Sequence, residues 1–239
     1  AYGIHPYVLL NYQGTLDHVF TLAHEMGHAL HSYYSDSNQS YINAGYKIFV
    51  AEVASTCNES LLIHYLLKNT DNKAEKAYLI NHFLEQFKGI LYRQTMFAEF
   101  EKITHKMVEE GETLTSDILC KVYYDLNKQY FGEDMVLDEE IALEWARIPH
   151  FYNPFYVYQY ATGISAAIAL SKKIMEQGEA GVKDYMKFLT GGGSKDPIDL
   201  LKLAGVDMTT KEPIEKALEL FKELLDQMEQ SFLSIDTNA

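Results

Sequence analysis

Cysteine is nearly absent: Cys57 and Cys120 are the two in 239 residues, with no His or Cys at ligand spacing around either. That excludes a disulfide framework and a cysteine-based zinc knuckle, and makes a reducing compartment the default. Proline is scarce too, with five in all (Pro6, Pro149, Pro154, Pro197, Pro213), so long stretches are free to run as helix. Positive charge is also in short supply, since 20 Lys and Arg against 34 Asp and Glu leave a formal charge of −14. A chain of that sign repels phosphate backbones and anionic lipid, so neither nucleic acid nor a membrane is expected as a partner. No apolar run approaches the roughly 18 residues that span a bilayer, and the opening AYGIHPYVLL lacks the order of a signal peptide. The same start carries no initiator Met and reads as a piece of a longer chain, and the cytoplasm is the expected location.

What is present is a globular composition, 47% hydrophobic and 13% aromatic, long enough for one large domain with a substantial core. Helical periodicity predicts a mainly α fold. Helices are expected over residues 15–31 with Thr15 as N-cap, 47–68, 73–110 with at most a soft break at Gly89, 115–130, 138–147, 160–176 and 211–232. Residues 7–11 read as the one strand and residues 32–45 as a polar loop. Ile148 to Tyr160 holds two prolines and six aromatics and is expected to be an ordered loop feeding a helix. TGGGSKDP lacks the Gly-Lys-Ser/Thr ending of a phosphate-binding loop, so Gly191 to Gly193 are assigned to a helix end, with Asp196 capping the next helix and Pro197 at its first position. No repeat or linker divides the chain, and residues 1–239 are taken as one domain.

The informative residues are His24-Glu25-Met26-Gly27-His28. On a helix, positions i and i+4 lie close in angle and about 6 Å apart along the axis, so two imidazoles can face one tetrahedral Zn²⁺ with Glu25 beside it. Asp17, Thr21, His24, His28 and His31 form a polar stripe on a helix otherwise mostly apolar, which predicts a largely buried helix whose histidines need partners. His31 lies about 10.5 Å along the axis from His24, too far for the same metal, and is read as an outer residue or a surface one. The third ligand is sought on the next helix, where Glu52, Ser55, Thr56 and Glu59 form a second polar row. If the two helices pair antiparallel, Glu52 completes a His2Glu site. Glu59 then either hydrogen-bonds the far nitrogen of a histidine or is simply solvated.

The segments PYVLLNYQGTLDHVFTLAHEMGHALHSYY, AEVAST, PHFYNPFYVYQYATG and GGSKDPIDLLKLAGVD together resemble, in order, the thimet oligopeptidase-like zinc metallopeptidases, in particular their oligoendopeptidase F branch. Phe49 and Ala54 stand where the mammalian branch has Asp and Pro, which favours the bacterial one. The resemblance implies a multi-helix zincin-type catalytic domain with an edge strand that pairs with extended substrate, Glu52 as the metal's carboxylate ligand, and hydrolysis of short peptides at internal bonds. It implies Glu25 as general base, His150 and Tyr160 as groups that meet the oxyanion, and Tyr156 and Tyr158 as substrate contacts. Two other readings remain at this point: a zinc carboxypeptidase of similar architecture, which needs a cationic anchor such as Arg147, and a zinc-binding domain without turnover. Oligomeric state is not legible.

Overall fold

The structure is a computed structural model and describes residues 1–236. It divides into two compact units, one built from Ala1–Phe87 with Thr162–Ala239 and the other from Lys88–Ala161. Both boundaries fall inside helical segments, so no change in composition marks them. That is why the sequence reads as a single domain.

In the first unit, α1 (Leu16–Asn38) starts at Thr15, whose side chain accepts the His18 N–H as expected of an N-cap. It runs seven residues beyond the predicted end, and this extension together with a short α2 (Tyr41–Ala44) takes up most of the predicted loop. A 3₁₀ turn at Ile48–Val50 leads into α3 (Ala51–Asn69) and then α4 (Lys73–Gln86), capped by the Asn72 side chain. Asn58 donates to the Ala23 carbonyl, while a Cβ on Gly27 would lie 2.5 Å from Ser55 Cα. Residue pairs 23/58 and 27/55 therefore run in opposite senses, and α1 and α3 are antiparallel. Only glycine permits that approach, because the obstacle is backbone.

Two expectations fail here. Residues 7–11 form no strand, and among the described residues there is none anywhere. A strand is defined by ladder hydrogen bonds, and no extended neighbour lies alongside to supply them; Tyr7 and Leu9 are 81% and 97% exposed. Nor is α1 buried on its apolar side. Gly27, His31 and Ser35 are buried with Phe20, whereas Leu22, Met26, Leu30 and Tyr33 face outward. The packed face carries Gly27 and His31, and Gly27 lets α3 close in, whereas Asp17 and Thr21 at the start of the polar stripe are exposed.

The core of this unit gathers around α7 (Tyr158–Gln177), of which Gly163–Ser171 is buried without interruption, together with α8 (Glu179–Leu189) and α9 (Pro197–Leu203). Nine successive buried residues mark a helix enclosed on all sides. The three glycines after α8 have a packing role. Gly192 has φ +52, a Cβ there would meet Asn43 O at 2.4 Å, and the Gly193 N–H donates to Asn43 O at 2.7 Å. They hold the segment that enters α3. Asp196 occupies the N-cap position of α9 without making a side-chain cap bond. The closing helix, α10, spans Glu212–Asp236.

In the second unit, a π-helical turn (Phe87–Tyr92) containing Gly89 joins α4 to α5 (Arg93–Glu109), and α6 (Ser116–Phe131) begins at a Thr115 cap. Residues 139–147 form a 3₁₀ helix where an α-helix was expected, followed by a second 3₁₀ turn, Pro149–Tyr152. Met96, Phe97, Phe100, Tyr123 and Val157 make its core. Glu144 ties it together, accepting from Arg93, from Arg147 and, at 2.6 Å, from the Tyr123 hydroxyl.

Candidate metal centre

The antiparallel seam of α1 and α3 brings the two polar rows face to face. His24 Nε2 lies 3.1 Å from Glu52 Oε2, His28 Nε2 lies 3.4 Å from the same oxygen, and the two Nε2 atoms are 3.2 Å apart. Ligands held at 2.0–2.1 Å by a tetrahedral zinc are about 3.3 Å from one another. The three donors thus already stand at the edge lengths of a tetrahedral face. Among the described residues, these are the His, Cys, Asp or Glu side chains that gather in this way, with all ligand atoms within 4.8 Å. Three lone-pair-bearing atoms pointing at one another need a cation between them, and the donor set fits zinc.

Two of the three ligands, His24 and Glu52, are held from behind. His24 Nδ1 bonds Glu59 Oε1, and Glu59, buried on α3, accepts at its other oxygen from Gln86 Nε2 of α4 at 2.6 Å. With Nδ1 so engaged, Nε2 is the atom presented to a metal. Ser55 donates to Glu52 Oε2 at 3.1 Å, and a Cβ on Gly163 would sit 3.8 Å from Glu52 Cβ, so α7 leaves room for the ligand. Burial works against a charged His24, but the hydrogen bonds to Glu52 and Glu59 outweigh it and raise its pKa to about 10. The hydrogen bonds from His24 and His28 push Glu52 far below the usual carboxylate range. Both shifts have one cause, a cluster of donors that favours positive charge among them.

Glu25, half-buried, lies between two surface depressions. One is lined by Asp17, Thr21, His24, Glu59 and His82, the other by Pro6, Tyr7, Val8, His28 and Ser32. His31 is neither an outer ligand residue nor on the surface. It is fully buried, its two ring nitrogens have no hydrogen-bond partner, and it stacks on Tyr46 with centroids 3.8 Å apart. Burial pushes its pKa down to about 3, with the nearby His28 contributing.

Sequence reasoning missed Gln86 and His82. His82 Nδ1 is 3.4 Å from Asp17 Oδ1, and its ring packs on Phe20. Their i, i+4 spacing on α4 was visible, but the register of α4 against α3 was not.

The aromatic residues gather in the second unit. Tyr160 Oη lies 3.4 Å from His150 Nε2, and the Tyr156 ring stands 5.6 Å from His150 and 5.7 Å from Tyr160. Tyr158, at the first position of α7, is 41% exposed.

Two histidines one turn apart on one helix, a carboxylate from the antiparallel helix, and a glutamate next to the first histidine define a helical site of the HExxH metal-binding class. The model of peptidase family M3 matches residues 3–220, and the chain belongs to that family. It is 55% identical to oligopeptidase PepF of Bacillus subtilis over 98% of its length, and 44% identical to the chromosomal oligoendopeptidase F of Lactococcus lactis subsp. cremoris over 96%. The crystal structure of oligoendopeptidase-F from Enterococcus faecium superposes on 91% of the chain with a TM-score of 0.81 and 45% identity. The chain spans 35% to 39% of the length of these relatives.

Proposed function

We propose that residues 1–239 form a zincin-type catalytic domain that hydrolyses internal bonds of short peptides, with His24, His28 and Glu52 holding Zn²⁺. The observation that carries this reading is the triangle of 3.1, 3.2 and 3.4 Å between the three ligand atoms, with Glu25 beside it. Bound zinc supplies a Lewis acid that acidifies a water and polarises the scissile carbonyl. Glu25 takes the proton of the attacking water and passes it to the leaving amine. Glu59 and Gln86 keep the His24 ring in one tautomer. His150 and Tyr160 donate to the oxyanion as charge develops, and Tyr156 and Tyr158 contact the peptide. Short peptides in the cytoplasm are the proposed substrates.

The carboxypeptidase reading is less favoured, because Arg93 and Arg147, the two arginines of the chain, are both engaged with Glu144. The test is Glu25→Gln in the zinc-loaded chain with an internally quenched peptide. The amide is isosteric but cannot accept the proton, so zinc content should be unchanged and turnover should fall by about 10²-fold or more. Equal turnover in parent and variant removes Glu25 as the base, and a parent that binds zinc without any turnover favours the idle domain.

A further inference from the structure

We infer that Glu101 is a positioning residue for the aromatic cluster: its buried carboxylate fixes the turn at Phe155 and thereby aims Tyr156, Tyr160 and their partner His150. The inference rests on the role proposed above for that cluster.

Residues 148–160 descend through successive tight turns. Asn153 N donates to His150 O at 2.9 Å, Tyr156 N to Asn153 O at 3.2 Å, and Tyr160 N to Val157 O at 3.2 Å. Phe155 is the third residue of the second of these turns, residues 153–156, and sets the direction in which the chain leaves it. Phe155 has φ +58 and is, among the described residues, the non-glycine residue in the left-handed region. A bulky residue takes that conformation only when its surroundings hold it there. Returning φ to a negative value would swing Tyr156 away from His150 and Tyr160, because it is the next residue.

Two groups on α5, one turn apart, do the holding. Glu101 Oε1 accepts the Phe155 N–H at 2.9 Å, and the His105 ring lies against the Phe155 ring with centroids 4.6 Å apart. His105 is itself fixed, its Nδ1 2.7 Å from the Glu101 carbonyl. Glu101 is 3% exposed, and its Oε2 has no hydrogen-bond partner. A buried carboxylate with one bare oxygen costs stability, which no packing need explains in a unit whose core cluster is made of apolar and aromatic side chains. Its one made contact is the Phe155 amide. Burial raises its pKa, while the Phe155 amide and the nearby His105 work in the opposite direction.

The experiment follows the Phe155 amide and the His150 ring by NMR, and turnover of a quenched oligopeptide by the zinc-loaded chain. In Glu101→Ala, exchange of the Phe155 amide should quicken at least 10-fold, the His150 ring resonances should shift, and kcat should fall about 10-fold with KM little changed. Glu101→Gln keeps an acceptor oxygen and should hold all three near the parent. Adding Phe155→Gly to Glu101→Ala should restore much of the lost kcat, since glycine takes φ +58 unaided. Emission of Trp145, the one tryptophan, reports whether the second unit stays folded. If Glu101→Ala unfolds it, the decision passes to Glu101→Gln and to Phe155→Gly alone, and a 10-fold loss of kcat in either overturns the inference. Unchanged amide exchange and His150 resonances in a folded Glu101→Ala also overturn it. If those NMR changes occur while Tyr160→Phe keeps the parental kcat, the hold on the turn stands and the catalytic role of the cluster is what fails.

Discussion

At His24 the two ring nitrogens have separate partners, Nδ1 on Glu59 and Nε2 toward Glu52 and His28. The helical period makes His24, His28 and Glu52 legible in the sequence, and it places Glu59 two turns from Glu52 on the same face. It cannot reveal Gln86, whose contact depends on how α4 folds back after Thr70. Removing either support should loosen the metal without removing a ligand: Glu59→Gln and Gln86→Leu should each weaken zinc binding by about 10- to 100-fold, read by competition with a chromophoric chelator. His31 supplies a pH prediction. It is neutral in the folded chain and titrates near 6.5 when unfolded, so between about pH 6.5 and 3 the unfolded state binds the extra proton. Its contribution is present in full above that window and is lost as pH falls through it. In metal-free urea denaturation, the parent should therefore lose stability more steeply over that window than His31→Phe, by up to about 1.4 kcal/mol per pH unit. Parallel profiles would contradict the neutral buried histidine.

Among elements, the α1–α3 pair matters most, and Gly27 sets how closely it packs. Its Cβ would strike backbone at 2.5 Å, so Gly27→Ala must push the helices apart and disturb the ligand triangle. The expected loss is about 1–3 kcal/mol of stability together with weaker zinc binding. Gly89→Ala, where a Cβ meets nothing within 4 Å, is the control and should change neither. Helix existence was readable here because capping and periodicity agree at Thr15, Asn72 and Thr115. The exceptions share a cause. The absent strand at residues 7–11, the π turn at 87–92 and the outward apolar side of α1 depend on what packs where, and local sequence carries no record of that.

For the whole molecule, the division into two units is the least legible feature, since neither boundary is a linker and the chain passes between the units within helices. The charge of −14 and the family are carried by composition and motif, and so are available without coordinates. The metal centre, in contrast, joins residues 24, 28, 52, 59 and 86, all within the first unit. Its assembly can therefore be tested by its cation alone, without a substrate. The direct measurement is zinc content by elemental analysis after loading and desalting, on the parent and on Glu52→Ala. One zinc per chain in the parent, and much weaker retention in the variant, is the predicted result. A parent without zinc, or a Glu52→Ala chain that holds it as tightly, would contradict the assignment of His24, His28 and Glu52 as the metal site.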